Sequence, residues 1–153
     1  MKLRFLIHTF TVFPKMTEIS DEQGIVKYRL TRDLAAIGFK LHLQDTDGSE
    51  IALIRQKVSI AYRFLLMMND TEFSIRPRYN RIDGHLYEMS VTGWRTFGDP
   101  DTGDYVILSD EKIIASVRKI KGDFCEVELA DDGNTAMILA FVITIVAAIA
   151  THD

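Results

Sequence analysis

Apolar and polar residues alternate along most of this chain. Leu3, Phe5 and Ile7 share one face of an opening strand. Period-two stretches follow at Lys15–Ile19, Val26–Leu30, Phe39–Leu43, Glu50–Arg55, Tyr62–Met67 and Glu72–Arg76, then at Leu86–Val91, Tyr105–Leu108, Ile113–Val117 and Phe124–Leu129. Alternation of this kind gives each strand one buried and one solvated face. The stretches are separated by clusters of turn residues, among them Glu22-Gln23-Gly24, Asp45-Thr46-Asp47-Gly48, Asn69-Asp70, Asp83-Gly84, Asp99-Pro100-Asp101-Thr102-Gly103 and Lys121-Gly122-Asp123. Glycine accepts positive φ, and aspartate bonds the backbone two residues on. Short strands at regular spacing with such turns predict an antiparallel sandwich or barrel. No Pro/Ser-rich linker interrupts the pattern, so one domain is expected over residues 1–153. Leu43–Lys57 and Leu108–Lys119 echo each other as strand, acidic turn and basic-ended strand, a similarity that either duplication or ordinary hairpin chemistry explains.

The C-terminal stretch breaks the alternation. Residues 136–150 contain no charge and a single hydroxyl, Thr144. The run is too long for an ordinary strand, and its alanines favour helix. Asp132 or Asn134 can cap its start. A helix that is apolar all round is either surrounded by protein or in lipid. At ~1.5 Å per residue the run spans roughly 22 Å, short of the ~30 Å a bilayer core requires, and no Lys, Arg, Trp or Tyr flanks it as an interfacial anchor. A buried helix is therefore expected, and burial on every side calls for a sheet closed around it.

Size and composition add limits more than leads. A chain of 153 residues with 47% hydrophobic and 26% charged content buries enough surface to fold unaided. The net charge of −4 gives no global attraction to nucleic acid or anionic lipid, so neither nucleic acid nor any cofactor is expected. Cys125 is the one cysteine. It excludes an intrachain disulfide, fits a reducing compartment, and at an alternating strand position reads as a structural thiol. The N-terminal Met1–Ile7 has the look of a signal peptide but is broken by His8, Thr9 and Thr11, with no small-residue cleavage site after it.

Familiar catalytic patterns are absent from the sequence. The four histidines are scattered, and no H-E-x-x-H, G-x-S-x-G, P-loop or G-x-G-x-x-G occurs. Asp45–Glu50 opens like a calcium loop, but its glycine comes early and Gln56 occupies the place of the bidentate glutamate. A plain turn is the simpler reading, as it is for Asp99–Asp104, and no metal site is expected. Trp94 reads as a packed cap of the barrel.

Basic residues carry the remaining signal. Arg55, Lys57 and Arg63 cluster across one strand connection, Arg76, Arg78 and Arg81 follow with Tyr79 among them, and Arg118, Lys119 and Lys121 form a third group. Arg55 and Lys57 share a strand face, as do Arg76 and Arg78, although Pro77 weakens the strand there. Arginine and lysine suit phosphate recognition; the plain alternative is a solvated exterior.

The strand order, the segment DTDGSEIALIRQK at 45–57 and the Met137–Ile149 helix together resemble the LURP-one-related family of the tubby C-terminal-like superfamily, to which the phospholipid scramblases are related. The resemblance implies a closed antiparallel barrel of about twelve strands threaded by the hydrophobic C-terminal helix. It also implies a non-enzymatic domain, since tubby-type domains bind phosphoinositide headgroups. The chain lacks the scramblases' palmitoylated cysteine cluster and calcium-binding segment, which argues against scrambling. The expectation is a cytoplasmic module, peripheral at the inner membrane face, binding an anionic lipid or a protein partner. Its candidate headgroup residues are Arg55, Lys57, Arg63, Arg76 and Arg78. A small-molecule carrier or enzyme using the barrel mouth, and a tail-anchored protein, are the competing classes.

Overall fold

In the computed structural model the described residues are 1–7, 15–57, 63–82 and 84–152, the side chains of Asn80, His85, Thr151 and His152 excepted. They form twelve strands and one helix: β1 (Lys2–Leu6), β2 (Met16–Asp21), β3 (Val26–Arg32), β4 (Lys40–Asp45), β5 (Glu50–Gln56), β6 (Phe64–Met68), β7 (Thr71–Asn80), β8 (Gly84–Met89), β9 (Arg95–Asp99), β10 (Asp104–Ser109), β11 (Lys112–Ile120), β12 (Phe124–Leu129) and α1 (Thr135–His152). Each strand pairs with its sequence neighbours, and β1 pairs with β12 to close the sheet into a barrel. Every pairing is antiparallel, closure included, with Leu3 opposite Val127 and Phe5 opposite Cys125.

The alternation resolves into an inside and an outside. Leu3, Phe5, Leu41, Leu43, Ala52, Ile54, Phe64, Leu66, Ile107, Ala115 and Val127 are buried, while the residues between them face outward. Side chains alone just fill an eight-stranded barrel; a bore of twelve strands requires a filler, and α1 supplies it. Ile138 to Ile145 are buried without interruption, which an exposed or one-sided helix never achieves. Thr144, the one hydroxyl in the run, donates a 2.7 Å hydrogen bond to the carbonyl of Ala140, so it leaves no polar group stranded. The Asn134 carbonyl accepts from the Ile138 N–H at 2.9 Å and opens the helix. Asp131 bonds the Gly133 N–H, and the Thr135 hydroxyl donates to the Asp132 carbonyl. Among the described residues no helix is long and apolar enough to cross a membrane.

Three details depart from the alternation read as strands. β9 was not foreseen: Arg95-Thr96-Phe97-Gly98-Asp99 buries only Thr96 and is interrupted by a glycine. Gly98 is required there, because at φ +123 an added Cβ would stand 2.9 Å from the Asp104 carbonyl oxygen and the Tyr105 Cα. Val91, placed in a strand by its chemistry, lies in the β8–β9 turn at φ 69 and is exposed; the turn, closed by Gly93 N–H to Met89 O, overrides the preference of a β-branched residue. β7 continues past Arg76 through Pro77 to Asn80. Its pairing with β6 ends at Ile75, so Pro77 lies where β7 is paired only with β8 and its missing N–H is tolerated. Tyr62, expected in the strand that became β6, is outside the described residues. Trp94, expected to pack as a cap of the barrel, is buried in the hydrophobic core.

A charge at the middle of α1 has nowhere to go. Thr144→Lys is expected to abolish folding, because burying an unpaired ammonium costs several kcal/mol, whereas Thr144→Val should fold with stability within about 1 kcal/mol of the parent. Far-ultraviolet circular dichroism and thermal melting of the two variants check this; a normally folded lysine variant would be incompatible with a helix inside the barrel.

Candidate functional site

Antiparallel connections alternate between the two ends of the barrel. The turns at 22–25, 46–49, 69–70, 90–94 and 110–111 lie at one end, together with the approach to α1. The connection at 33–39 and the turns at 100–103 and 121–123 lie at the other. The charges divide with them. The first end bears Glu22, Asp47, Asp70, Asp110, Glu111 and Asp132, against Lys2, Lys27, Arg95 and Lys112. The second bears Arg32, Lys40, Arg55, Lys57, Arg81 and Lys121, against Asp33, Asp101, Asp104 and Asp123. The helix runs from the acidic end to the basic end.

The acidic turns owe their aspartates to backbone geometry. Asp21 Oδ1 accepts from the N–H groups of Gln23 and Ile25, Asp45 Oδ1 from those of Asp47 and Ser49, and Asp99 Oδ1 from those of Asp101 and Thr102. These oxygens are engaged in holding turns. No group of three His, Cys, Asp or Glu side chains placed to hold a metal occurs among the described residues. Cys125 is buried inside the barrel, and burial, with the nearby Glu126 charge, pushes its thiol up to about 12. It is a packing residue and a poor nucleophile.

At the basic end a cleft of about 250 Å³ opens on the outer wall, lined by Ala36, Ile37, Lys40, Arg55, Gln56, Lys57 and Leu65. Register creates it: Lys40 on β4 stands directly opposite Arg55 on β5. Like charges in cross-strand partners destabilise a sheet. Lys40 has Asp33 at 3.9 Å as partial compensation. The side chains of Arg55 and Lys57 have no carboxylate partner among the described residues. The rim is built to hold still. The Gln56 side-chain oxygen accepts from the Phe39 N–H, the Gln56 N–H donates to the Phe39 carbonyl, and the Arg32 guanidinium lies 4.4 Å above the Phe39 ring. Gly38, at φ +77, packs so close to Gln56 that a Cβ would stand 2.8 Å from its Oε1.

The expected headgroup residues separate in space. Arg55 and Lys57 line the cleft. Arg63 is next to it, its carbonyl accepting the Lys57 N–H at 2.8 Å, but it does not line it. Arg76 lies on β7, two strands from β5 and outside the cleft. Arg78 is also on β7 and pairs with Glu88 at 3.3 Å. Of the third basic group, Arg118 is committed to Glu126 and Lys119 stands 3.9 Å from Asp123. Lys40 was missed in sequence. Its pairing with Arg55 depends on a β-bulge between Leu43 and Gln44; without it, counting back from Gln44 opposite Glu50 would set Lys40 against Ile54.

Glu126 shows what a compensated charge looks like on this wall. Its carboxylate is covered, 1% exposed, with Arg4 Nε at 2.7 Å and Arg118 at 2.7 Å. Burial alone would raise its pKa, but the hydrogen bonds and charges of Arg118 and Arg4 outweigh burial and hold the carboxyl below the usual 4.5. The triad ties β1, β12 and β11 together across the closure of the barrel.

The architecture is a closed twelve-stranded antiparallel barrel around a C-terminal helix. The chain belongs to the LURP-one-related family, whose sequence model matches residues 6–146. It is similar in fold to a protein of Arabidopsis thaliana solved by X-ray crystallography, with a TM-score of 0.67 and 13% identity over 94% of this chain and 89% of that one. No curated protein matches the chain in sequence.

Two expectations follow from these charges. Arg55→Gln should raise stability by about 0.2–1 kcal/mol in anion-free buffer, since it relieves the repulsion with Lys40; chemical denaturation reads this, and a loss of stability would mean that Arg55 has a compensating partner. Glu126→Gln should cost about 1–2 kcal/mol near neutral pH. Because the folded-state pKa is depressed, the wild-type advantage is complete above pH 4.5 and shrinks as pH falls through the folded-state value. Denaturation midpoints of both proteins between neutral pH and pH 3 should converge toward the acid end.

Proposed function

We propose that this barrel is a non-enzymatic binding module whose cleft at Lys40, Arg55 and Lys57 takes the phosphate of an anionic phospholipid headgroup, bringing the protein to a membrane surface. One observation carries the reading: two cations stand opposite each other across β4 and β5, and a third, Lys57, adjoins them with no carboxylate partner among the described residues. An anion between them converts a repulsive arrangement into charge-assisted hydrogen bonds. Arginine contributes a forked donor set and lysine a point charge, which suits a phosphate whose orientation is set by one residue and whose charge is balanced by several.

The size of the cleft supports a headgroup over a whole small molecule. At about 250 Å³ it is smaller than the ~300–1,000 Å³ of pockets that enclose drug-sized ligands, and it opens on the outer wall while the bore is filled by α1. Family membership, together with the lipid-binding habits of tubby-type domains, favours the same reading.

Cosedimentation with vesicles tests it. Phosphatidylcholine vesicles containing phosphatidylglycerol or a phosphoinositide should bind the protein in a salt-sensitive manner, and phosphatidylcholine alone should not. At about 1 kcal/mol per surface cation, the double variant Arg55→Gln/Lys57→Gln should lose about thirtyfold in partition. Inorganic phosphate and glycerol phosphate as competitors distinguish a lipid headgroup from a free phosphate ligand. Equal binding to neutral and anionic vesicles, or full binding by the double variant, would sink the reading.

A further inference from the structure

The connection that forms one wall of the cleft presents two large aliphatic side chains to solvent. Leu34 is 66% exposed and Ile37 80% exposed, and Ile37 itself lines the cleft. Single exposed apolar residues are ordinary, but these two stand on a short segment whose backbone is fixed on both sides. The Asp33 N–H donates to the Lys40 carbonyl at 2.9 Å, the Ala35 N–H to Asp33 Oδ1 at 3.0 Å, and the Ala36 N–H to the Asp33 carbonyl at 3.4 Å. Phe39 is clamped from the other side by Gln56 and Arg32. A tip ordered before binding loses little further entropy when its side chains are buried elsewhere.

Its surroundings decide what would bury it. The tip is at the end of the barrel where Arg32, Lys40, Arg55, Lys57, Arg81 and Lys121 gather, and the opposite end carries the carboxylates of the turns. An aliphatic pair flanked by Arg32, Lys40, Arg55 and Lys57, with Asp33 the one carboxylate on its segment, matches an anionic bilayer interface: phosphates lie at the level of the cations, and acyl chains begin just below. Exposed apolar residues at the acidic end lack this context; Ile25, for instance, stands in the turn that carries Asp21 and Glu22.

Resting on the headgroup reading, we infer that Leu34 and Ile37 form a membrane-insertion wedge. The cleft cations engage lipid phosphate, the two aliphatic side chains enter the acyl boundary beside it, and the barrel stands with its acidic end away from the surface. The site thus distinguishes a lipid in a bilayer from the same headgroup free in solution.

The test uses the full chain and two readouts. Leu34→Ser/Ile37→Ser alters only exposed positions and should keep the wild-type fold. It should bind vesicles of phosphatidylcholine and phosphatidylglycerol about tenfold or more weakly than wild type, and the single variant Leu34→Ser, at a position outside the cleft lining, should weaken vesicle binding while glycerol phosphate binding is unchanged. In parallel, the emission of the Ile37→Trp variant should shift to the blue on those vesicles and be quenched by brominated acyl chains, beyond the response of wild type, whose Trp94 is buried. If the serine variant binds vesicles as wild type does while Arg55→Gln/Lys57→Gln does not, the wedge is wrong and the headgroup site stands. If wild type binds neither the anionic vesicles nor glycerol phosphate, both fall together. If the serine substitutions abolish a self-association of wild type but leave vesicle binding intact, the patch belongs to a second copy of the chain and the wedge is overturned.

Discussion

The structure depends on a mutual requirement between α1 and the sheet around it. A helix with no polar face is stable in water only where apolar surface meets it from every direction. A twelve-stranded barrel, in turn, leaves a bore that its own inward side chains do not fill. Each is the answer to the other's deficit. The unbroken burial from Ile138 to Ile145 against Leu3, Phe5, Ile54, Phe64 and Leu66 is the physical form of that requirement. Closure through β1 and β12 follows from it, since an open sheet would leave part of the helix wet and two strand edges unpaired. The Arg4–Glu126–Arg118 group crosses this seam on the outside, where the strands most distant in sequence must meet.

With the interior spent on packing, chemistry is confined to the outer wall and the two ends. The tyrosines inside illustrate the point. Tyr105 is buried, its hydroxyl has no hydrogen-bond partner among the described residues, and burial, with Cys125 and Tyr87 near it, holds its pKa well above 10.0. It is a neutral packing group. On the wall, by contrast, the same geometry yields opposite outcomes at different registers: Glu126 finds two arginines and is silent, whereas Lys40 and Arg55 find each other. A sheet tolerates such a pair at a cost of some tenths of a kcal/mol, a cost that binding an anion offsets.

Much of the fold was legible because its signals are local. Period two marks a strand, Asp and Gly mark a turn, and an uncharged run of residues 136–150 can only be a helix in a dry place. The errors have local causes as well. β9 escaped because Thr96 is its one buried residue, and Val91 was misplaced because a turn's backbone demand exceeded a side-chain preference. The candidate site was less legible. Arg55 and Lys57 were visible as an i, i+2 pair, but the cleft also needs Lys40 from the preceding strand and Ile37 from a connection with no strand pattern at all. That Arg78 is neutralised by Glu88 while Arg55 has no carboxylate partner among the described residues depends on cross-strand neighbours, which composition does not reveal.

The acidic balance of the chain would seem to oppose an anionic surface. Distance removes the conflict. Seven-residue strands such as β3 and β5, at about 3.3 Å per residue, separate the two ends by roughly 20 Å before tilt, whereas the Debye length at physiological salt is about 8 Å. A membrane approached by the basic end feels Lys40, Arg55 and Lys57 and is largely screened from Asp47, Asp70 and Glu111. The net charge of −4 then acts on orientation more than on affinity: the acidic end is repelled from the surface and the basic end is drawn to it. On the proposed reading, a composition that argues against lipid is compatible, once the turns are assigned to ends, with a barrel that would approach a membrane by its basic end.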